Sequence, residues 1–303
     1  MILNLWQWWV DRRSRPYDNR LLALTRILMA VCVLGDLASL AWVGLVPDYF
    51  VLHEHGGLSI FAGSGYWFAS LGPAVGPVLY GVTAVCMTLV AVGLWVRPAT
   101  LLGVLAYAQL GALNPAGDRA VDRVIRTALL LLMFSQAHRC YALANRLRGL
   151  APVRETTAWV ADVLRWLLVL IYLSAGFAKF GTGGWFMPQG DPHLFRIMTS
   201  PLDARLDPDL PIFRRLMPLF HMGGWATMAL ELGAPVMLTR WAPWWAAVGL
   251  VMHLGIAVMM KLGMFSWGML ALYPILFGPW LSGLLDRLEA RWAPRPTAAE
   301  RAG

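Results

Sequence analysis

Lys179 is one of only two lysines in a chain of 303 residues, and it stands near the end of a long apolar run, 158–180. At the helical step of about 100° per residue, Arg165, Tyr172, Gly176 and Lys179 share one narrow stripe of that run. The glycine lets a second helix or a ligand come close to the backbone. A lysine at a boundary between water and lipid can lose its proton, because desolvation disfavours the charged form, and the neutral amine is a base. The plainer reading is a lysine that carries its charge to the membrane surface along its own aliphatic stem.

Other ionisable residues interrupt apolar runs. Glu231 lies one helical turn from Thr227 and two from Gly224, and His253 has Gly249 and Ile256 on its face. A Glu–His or Glu–Arg contact between helices is expected here, as chemistry or as a packing clamp. Arg26 and Asp36 lie ten residues apart on the first run, about 15 Å of helical rise, so each needs a partner elsewhere. Asp122 and Arg126 are spaced to pair along one helix, within a charge cluster that could equally be a solvated helix end. Ionisable groups at membrane depth cost free energy and tend to mark function.

The elements that position these residues are apolar helices. The chain is 58% hydrophobic and 14% charged, with a mean hydropathy of +0.58. A soluble domain carries about 25% charged residues, so lipid is the expected solvent. Hydropathy and breakers predict an all-α, polytopic transmembrane helix bundle of about eight spans, over 21–45, 75–96, 100–113, 123–137, 158–180, 216–238, 241–260 and 263–281. Residues 1–20 form an N-terminal tail, with Trp6, Trp8 and Trp9 as an interfacial anchor; 21–285 form the membrane domain; 286–303 close the chain. The segment 181–215, rich in Gly, Pro and Asp, lies between spans and either re-enters the bundle or covers its surface.

The net charge is +8, almost wholly from arginine. Abundant Ala, Gly, Arg and Pro fit GC-rich coding, hence a bacterial inner membrane. Both tails share one side with the loops at Arg97, His138–Arg154 and Arg240, and this side holds most of the basic residues outside the spans. The positive-inside rule makes it cytoplasmic. Lys179 and the 181–215 segment then face outward. No internal repeat is visible. Cys32, Cys86 and Cys140 stand alone, without metal spacing. No phosphate-binding loop, nucleophile elbow, zinc-protease motif or nucleic-acid motif occurs.

The run Ile171-Tyr172-Leu173-Ser174-Ala175-Gly176-Phe177-Ala178-Lys179, followed by Trp185 and Gly190, resembles the signature Y-x-x-A-G-x-x-K … W-x-x-G of the horizontally transferred transmembrane (HTTM) domain. This is the membrane domain of vitamin K-dependent gamma-carboxylase. Arg26 with Asp36 looks like that family's "R … D" pattern, and Gly117-Asp118 with Arg123 or Arg126 like its "G-D … R" element. Glu231 to Pro235 resembles its "E-x-x-x-P" element, and His253 with Phe265 its "H … F" element. The resemblance covers most of residues 20–285.

The resemblance implies that Lys179 matches the proposed base that deprotonates reduced vitamin K at a site open to the lumen. Tyr172 and Arg126, within the matched elements, and Asp122, from its spacing to Arg126, are the accompanying catalytic candidates. Arg26, Asp36, Trp185, Glu231 and His253 are candidates for substrate binding, and a reduced quinone is the implied co-substrate. The chain departs from the carboxylase by lacking a histidine in 114–126, and by lacking the lumenal domain that binds propeptides after the spans. Peptide carboxylation is therefore not expected. The family also includes a bacterial protein linked to maturation of a secreted peptide toxin. Two functions follow: an enzyme acting on a quinone or other lipid-soluble substrate, or a non-enzymatic protein in secretion, maturation or immunity of a peptide. A transporter, the third alternative, needs a continuous polar path through Arg26, Asp36, Glu231 and His253.

Overall fold

The computed structural model describes residues 7, 10, 11, 14–182, 184, 185, 192–200, 205 and 211–292. The expected tryptophan anchor and much of the 181–215 segment lie outside these residues. The main helices are α1 (Asn19–Trp42), α2 (Val75–Val92), α3 (Val96–Leu113), α4 (Ala120–Met133), α5 (Trp159–Thr182), α6 (Pro211–Leu232), α7 (Ala242–Met259), α8 (Phe265–Leu270) and α9 (Pro274–Trp292). The architecture is an all-α bundle, as the hydropathy predicts.

Local chemistry sets the helix ends. Asp18 caps α1 by accepting a hydrogen bond from the Arg20 amide at 2.9 Å. Gly93 ends α2 in the left-handed region, with φ of 81°. Pro98 and Pro243 lie in the first turns of α3 and α7, where a missing amide costs nothing. Gly278, with φ of 41°, and Pro279 kink the last helix.

Five helices, α1, α2, α3, α5 and α7, are long and apolar enough to cross a membrane by length and composition. The other three expected spans differ in kind. α4 has only 14 residues, yet hydrogen bonds tie its two flanks to both ends of α1. Asn19 donates to the Gln136 carbonyl at 2.8 Å, and Arg119 bonds Asp36. From residue 19 to 36 is about 25 Å of helical rise, so α4 and its flanks cover that interval. α6 contains Pro218 and begins at Pro211, five residues before the expected span. It passes at Gly233 into a 3-10 turn, Ala234–Leu238. The last span is broken between α8 and α9 and runs on to Trp292.

The core follows from the apolar faces that meet. Leu22, Met29, Met87, Leu110, Leu129, Leu164, Leu168, Met237, Leu272 and Ile275 are fully buried. The outer faces are apolar too: Val78, Val85, Leu102, Leu170, Val248, Val251 and Val258 are exposed. Helices that are hydrophobic all round belong in lipid. Cys32, Cys86 and Cys140 are free and buried, as packing residues.

One end of the bundle is laced by polar contacts that sequence patterns do not show. A short antiparallel pairing joins β1 (Pro16–Asp18) to β2 (Glu155–Thr157). Arg20 there binds Asp18 at 2.7 Å and Asp286 on α9 at 2.6 Å. Arg26 finds its partners in backbone carbonyls of Ala137 and Tyr141, each at 2.9 Å. It is a clamp between α1 and the segment after α4.

Candidate functional site

α5 carries the residues of the expected stripe, and the structure divides them. Tyr172 and Gly176 face α6 and α7 in the interior. Lys179 follows one turn later, while Arg165 lies two turns before Tyr172 and points to the opposite end of the bundle. There it binds Asp162 at 3.2 Å and the Ile275 carbonyl at 2.9 Å.

Lys179 meets Glu231, not open lipid. Its Nζ reaches Oε1 and Oε2 of Glu231 at 2.6 and 2.7 Å. The lysine side chain is 22% exposed and the glutamate 8%. Glu231 stands at the end of α6, and Gly176 permits the approach: a Cβ there would lie 3.1 Å from the Glu231 Cβ and 3.0 Å from Leu232. The Trp185 ring lies over the ammonium at 5.3 Å, and His193 stacks on that ring. The expected Glu–His or Glu–Arg contact is therefore a Glu–Lys pair.

His253 belongs to a second, neighbouring set. The Tyr172 hydroxyl lies 2.6 Å from His253 Nε2 and 2.8 Å from the Tyr273 hydroxyl. Trp245 packs edge-on against Tyr172, and Phe265 lies against His253. His253 Nδ1 is buried without a hydrogen-bond partner. Gly249 makes room for the arrangement, since a Cβ there would lie 2.4 Å from the Tyr273 hydroxyl. Sequence reasoning missed Tyr273. The available signal was a phenol inside an apolar run, whose hydroxyl must find a partner when buried.

The charges before and within α4 form a separate cluster. Asp122 does not pair with Arg126. As the third residue of α4 it accepts from the Arg119 amide at 2.9 Å, binds the Arg119 guanidinium at 3.0 Å and accepts from the Tyr107 hydroxyl at 2.7 Å. Capping at the helix start thus takes the carboxylate that i,i+4 spacing assigned to Arg126. Arg126 turns back to Asp118, with bonds of 2.8 and 2.9 Å, and Arg123 joins at 3.1 Å. Asp118, in the loop before α4, is held below the ordinary carboxylate range. Burial works to raise it, and the hydrogen bonds and charges of Arg126 and Arg123 outweigh burial. Arg119 also bonds Asp36 on α1. A cavity of about 280 Å³ opens beside these groups.

The segment between α7 and α8 connects the two regions. Arg119 donates to the Leu262 carbonyl at 3.5 Å, and Phe265, three residues on, touches the His253 ring. No group of His, Cys, Asp and Glu that could hold a metal occurs among the described residues. Arg26, Asp36, Glu231 and His253 each have a different partner, so these residues form separate contacts rather than one polar path.

The family model of the HTTM domain matches residues 14–280. No curated protein and no solved structure matches the chain.

Proposed function

From the premise that the chain belongs to the HTTM domain family, we propose that it is a multi-pass membrane enzyme that takes a proton from a hydroxyl of a lipid-soluble substrate, with a reduced quinone as the implied co-substrate. The single observation that carries this reading is the Lys179–Glu231 pair, a half-buried base and a buried acid in contact at 2.6 Å. In the ion-pair form the lysine lone pair is occupied. Transfer of that proton to Glu231 leaves a neutral amine beside a carboxylic acid. The amine then accepts the substrate hydroxyl proton and becomes an ammonium, and the substrate becomes an oxyanion. The low dielectric around the pair narrows the gap between its charged and neutral forms.

The neighbouring groups suit an oxygen-bearing ring. Trp185 offers an aromatic face beside the ammonium. The Tyr172 and Tyr273 hydroxyls and the unpartnered His253 Nδ1 supply hydrogen-bonding capacity. In this reading Asp122, Arg126, Asp36 and Arg26 brace the bundle and do not touch the substrate. Their partners are all protein groups.

The arginine excess at the end where β1, β2 and α9 meet supports an inner-membrane orientation with residues 1–20 and 286–303 in the cytoplasm. Lys179 then faces the outer leaflet. Eight crossings are proposed, the fourth made by the short α4 and the eighth by the broken α8–α9. The peptide-maturation reading rests on the family resemblance, and part of its expected contact surface, 181–215, lies outside the described residues.

The test is mass spectrometry of lipophilic molecules retained by the purified protein in mild detergent, followed by turnover of a hydroquinone with dioxygen supplied as the electron acceptor. Retention of a quinone by the wild type, and loss of hydroquinone turnover in Lys179→Ala, are the expected results. Full turnover in Lys179→Ala overturns the proposal.

A further inference from the structure

The end of the bundle opposite Lys179 holds a cavity of about 900 Å³ that the proposed chemistry does not use. Two chain breaks open it. Gly278 and Pro279 turn α9 away from the helix axis, and the 3-10 turn Ala234–Leu238 ends before α7 begins. The space left between α5, this turn, α7 and α9 is lined at its polar side by Arg15, Arg165, Arg240 and Asp162.

The charges do not balance. Asp162 binds Arg15 at 2.9 Å and Arg165 at 3.2 Å with one oxygen, Oδ1. Arg165 Nε is buried with no hydrogen-bond partner. Arg240 has no acidic partner among the described residues, and its guanidinium lies 5.3 Å from the Trp241 ring. Arg15 and Arg165 therefore share one carboxylate and Arg240 has none among the described residues, so the recess carries an excess of positive charge along a partly apolar wall. The remaining lining is apolar or aromatic, including Trp166, Leu238, Leu276 and Trp280. Trp166, Trp241, Trp244 and Trp280 are all exposed, and Trp244 meets Trp280 at 5.0 Å. Exposed indoles grouped beside arginines are the signature of the level where headgroups meet acyl chains.

We propose that this cavity binds one anionic phospholipid, its phosphate held by Arg165 and Arg240 and its upper acyl chains against the tryptophans and leucines. A free phosphate shares the charge but gains nothing from the apolar wall. A basic recess between membrane helices is suited to a phospholipid headgroup. The site stands apart from the Lys179 chemistry and does not depend on it.

The experiment uses the full chain in detergent, with native mass spectrometry after equal loading with phosphatidylglycerol and phosphatidylcholine. Phosphatidylglycerol is expected to be retained preferentially. Arg240→Gln, at an exposed position where folding is undisturbed, is expected to cut that preference about fivefold, the effect of one arginine near an anionic lipid surface. Arg97→Gln removes an exposed charge outside the cavity lining and is expected to leave the preference unchanged. Inorganic phosphate is expected to displace no lipid. Equal retention of the two lipids, an equal effect of Arg97→Gln, or displacement of the lipid by inorganic phosphate would each overturn the proposal.

Discussion

Lys179 on α5 and Glu231 at the end of α6 are joined by a two-pronged contact, the lysine nitrogen 2.6 and 2.7 Å from the two carboxylate oxygens. Removing one member leaves the other without its counter-charge in a recess where the glutamate is 8% exposed. Lys179→Met is therefore expected to destabilise the protein by about 3 kcal/mol, whereas the double variant Lys179→Met/Glu231→Leu loses less, because no orphan charge remains. Thermal unfolding in detergent across the four forms of the double-mutant cycle measures this. Additive losses would show that the two side chains do not interact.

Tyr172 bridges His253 and Tyr273 with a single hydroxyl. Tyr172→Phe keeps the ring against Trp245 and removes only that oxygen. The two groups left behind are buried, so the expected loss is about 1–3 kcal/mol. Under the proposed chemistry hydroquinone turnover also falls, by tenfold or more. Unfolding and turnover, measured on one preparation, separate the two effects.

The stripe on α5 was legible because helical periodicity is a local property, and Tyr172, Gly176 and Lys179 do lie together. Partner choice was not legible, because it depends on which helices meet. Glu231 sits 52 positions from Lys179, and nothing in its own run names a lysine over a histidine. Asp122 and Arg126 show the converse failure. Their spacing is right for a pair, but α4 begins at Ala120, so Asp122 falls where a carboxylate caps the helix. The kink inside α9 is written in Gly278-Pro279, and Pro274 marks where α9 restarts after α8, yet hydropathy averages across such residues.

Asp118 gives the protein an acid-sensitive joint. Burial alone would raise its carboxyl, and Arg126 and Arg123 together hold it below its ordinary value of 3.8. A carboxyl depressed in the folded state stabilises fully above its unfolded pKa. That contribution is lost as pH falls through the lower, folded value. The melting temperature is expected to drop between about pH 4 and the folded value. Asp118→Asn is expected to start lower at pH 7 and to show a smaller acid-induced drop. An unchanged acid profile in Asp118→Asn would place the sensitivity elsewhere.

Gly176 separates geometry from chemistry, because changing it removes no polar group. A Cβ at this position would stand 3.1 Å from the Glu231 Cβ and 3.0 Å from Leu232, closer than packed side chains ordinarily come. Alanine requires α6 to give by a few tenths of an ångström, and valine, branched at the same carbon, requires more. The contact between Lys179 and Glu231 is short and two-pronged, so small separations lengthen both bonds together. Gly176→Ala is expected to lower hydroquinone turnover modestly and Gly176→Val by at least tenfold, with the pH dependence of the remaining activity unchanged in shape. That pattern marks a loss of alignment in a working base. A Gly176→Val protein that folds and turns over like the wild type would show that close approach of α5 and α6 is not what positions Lys179.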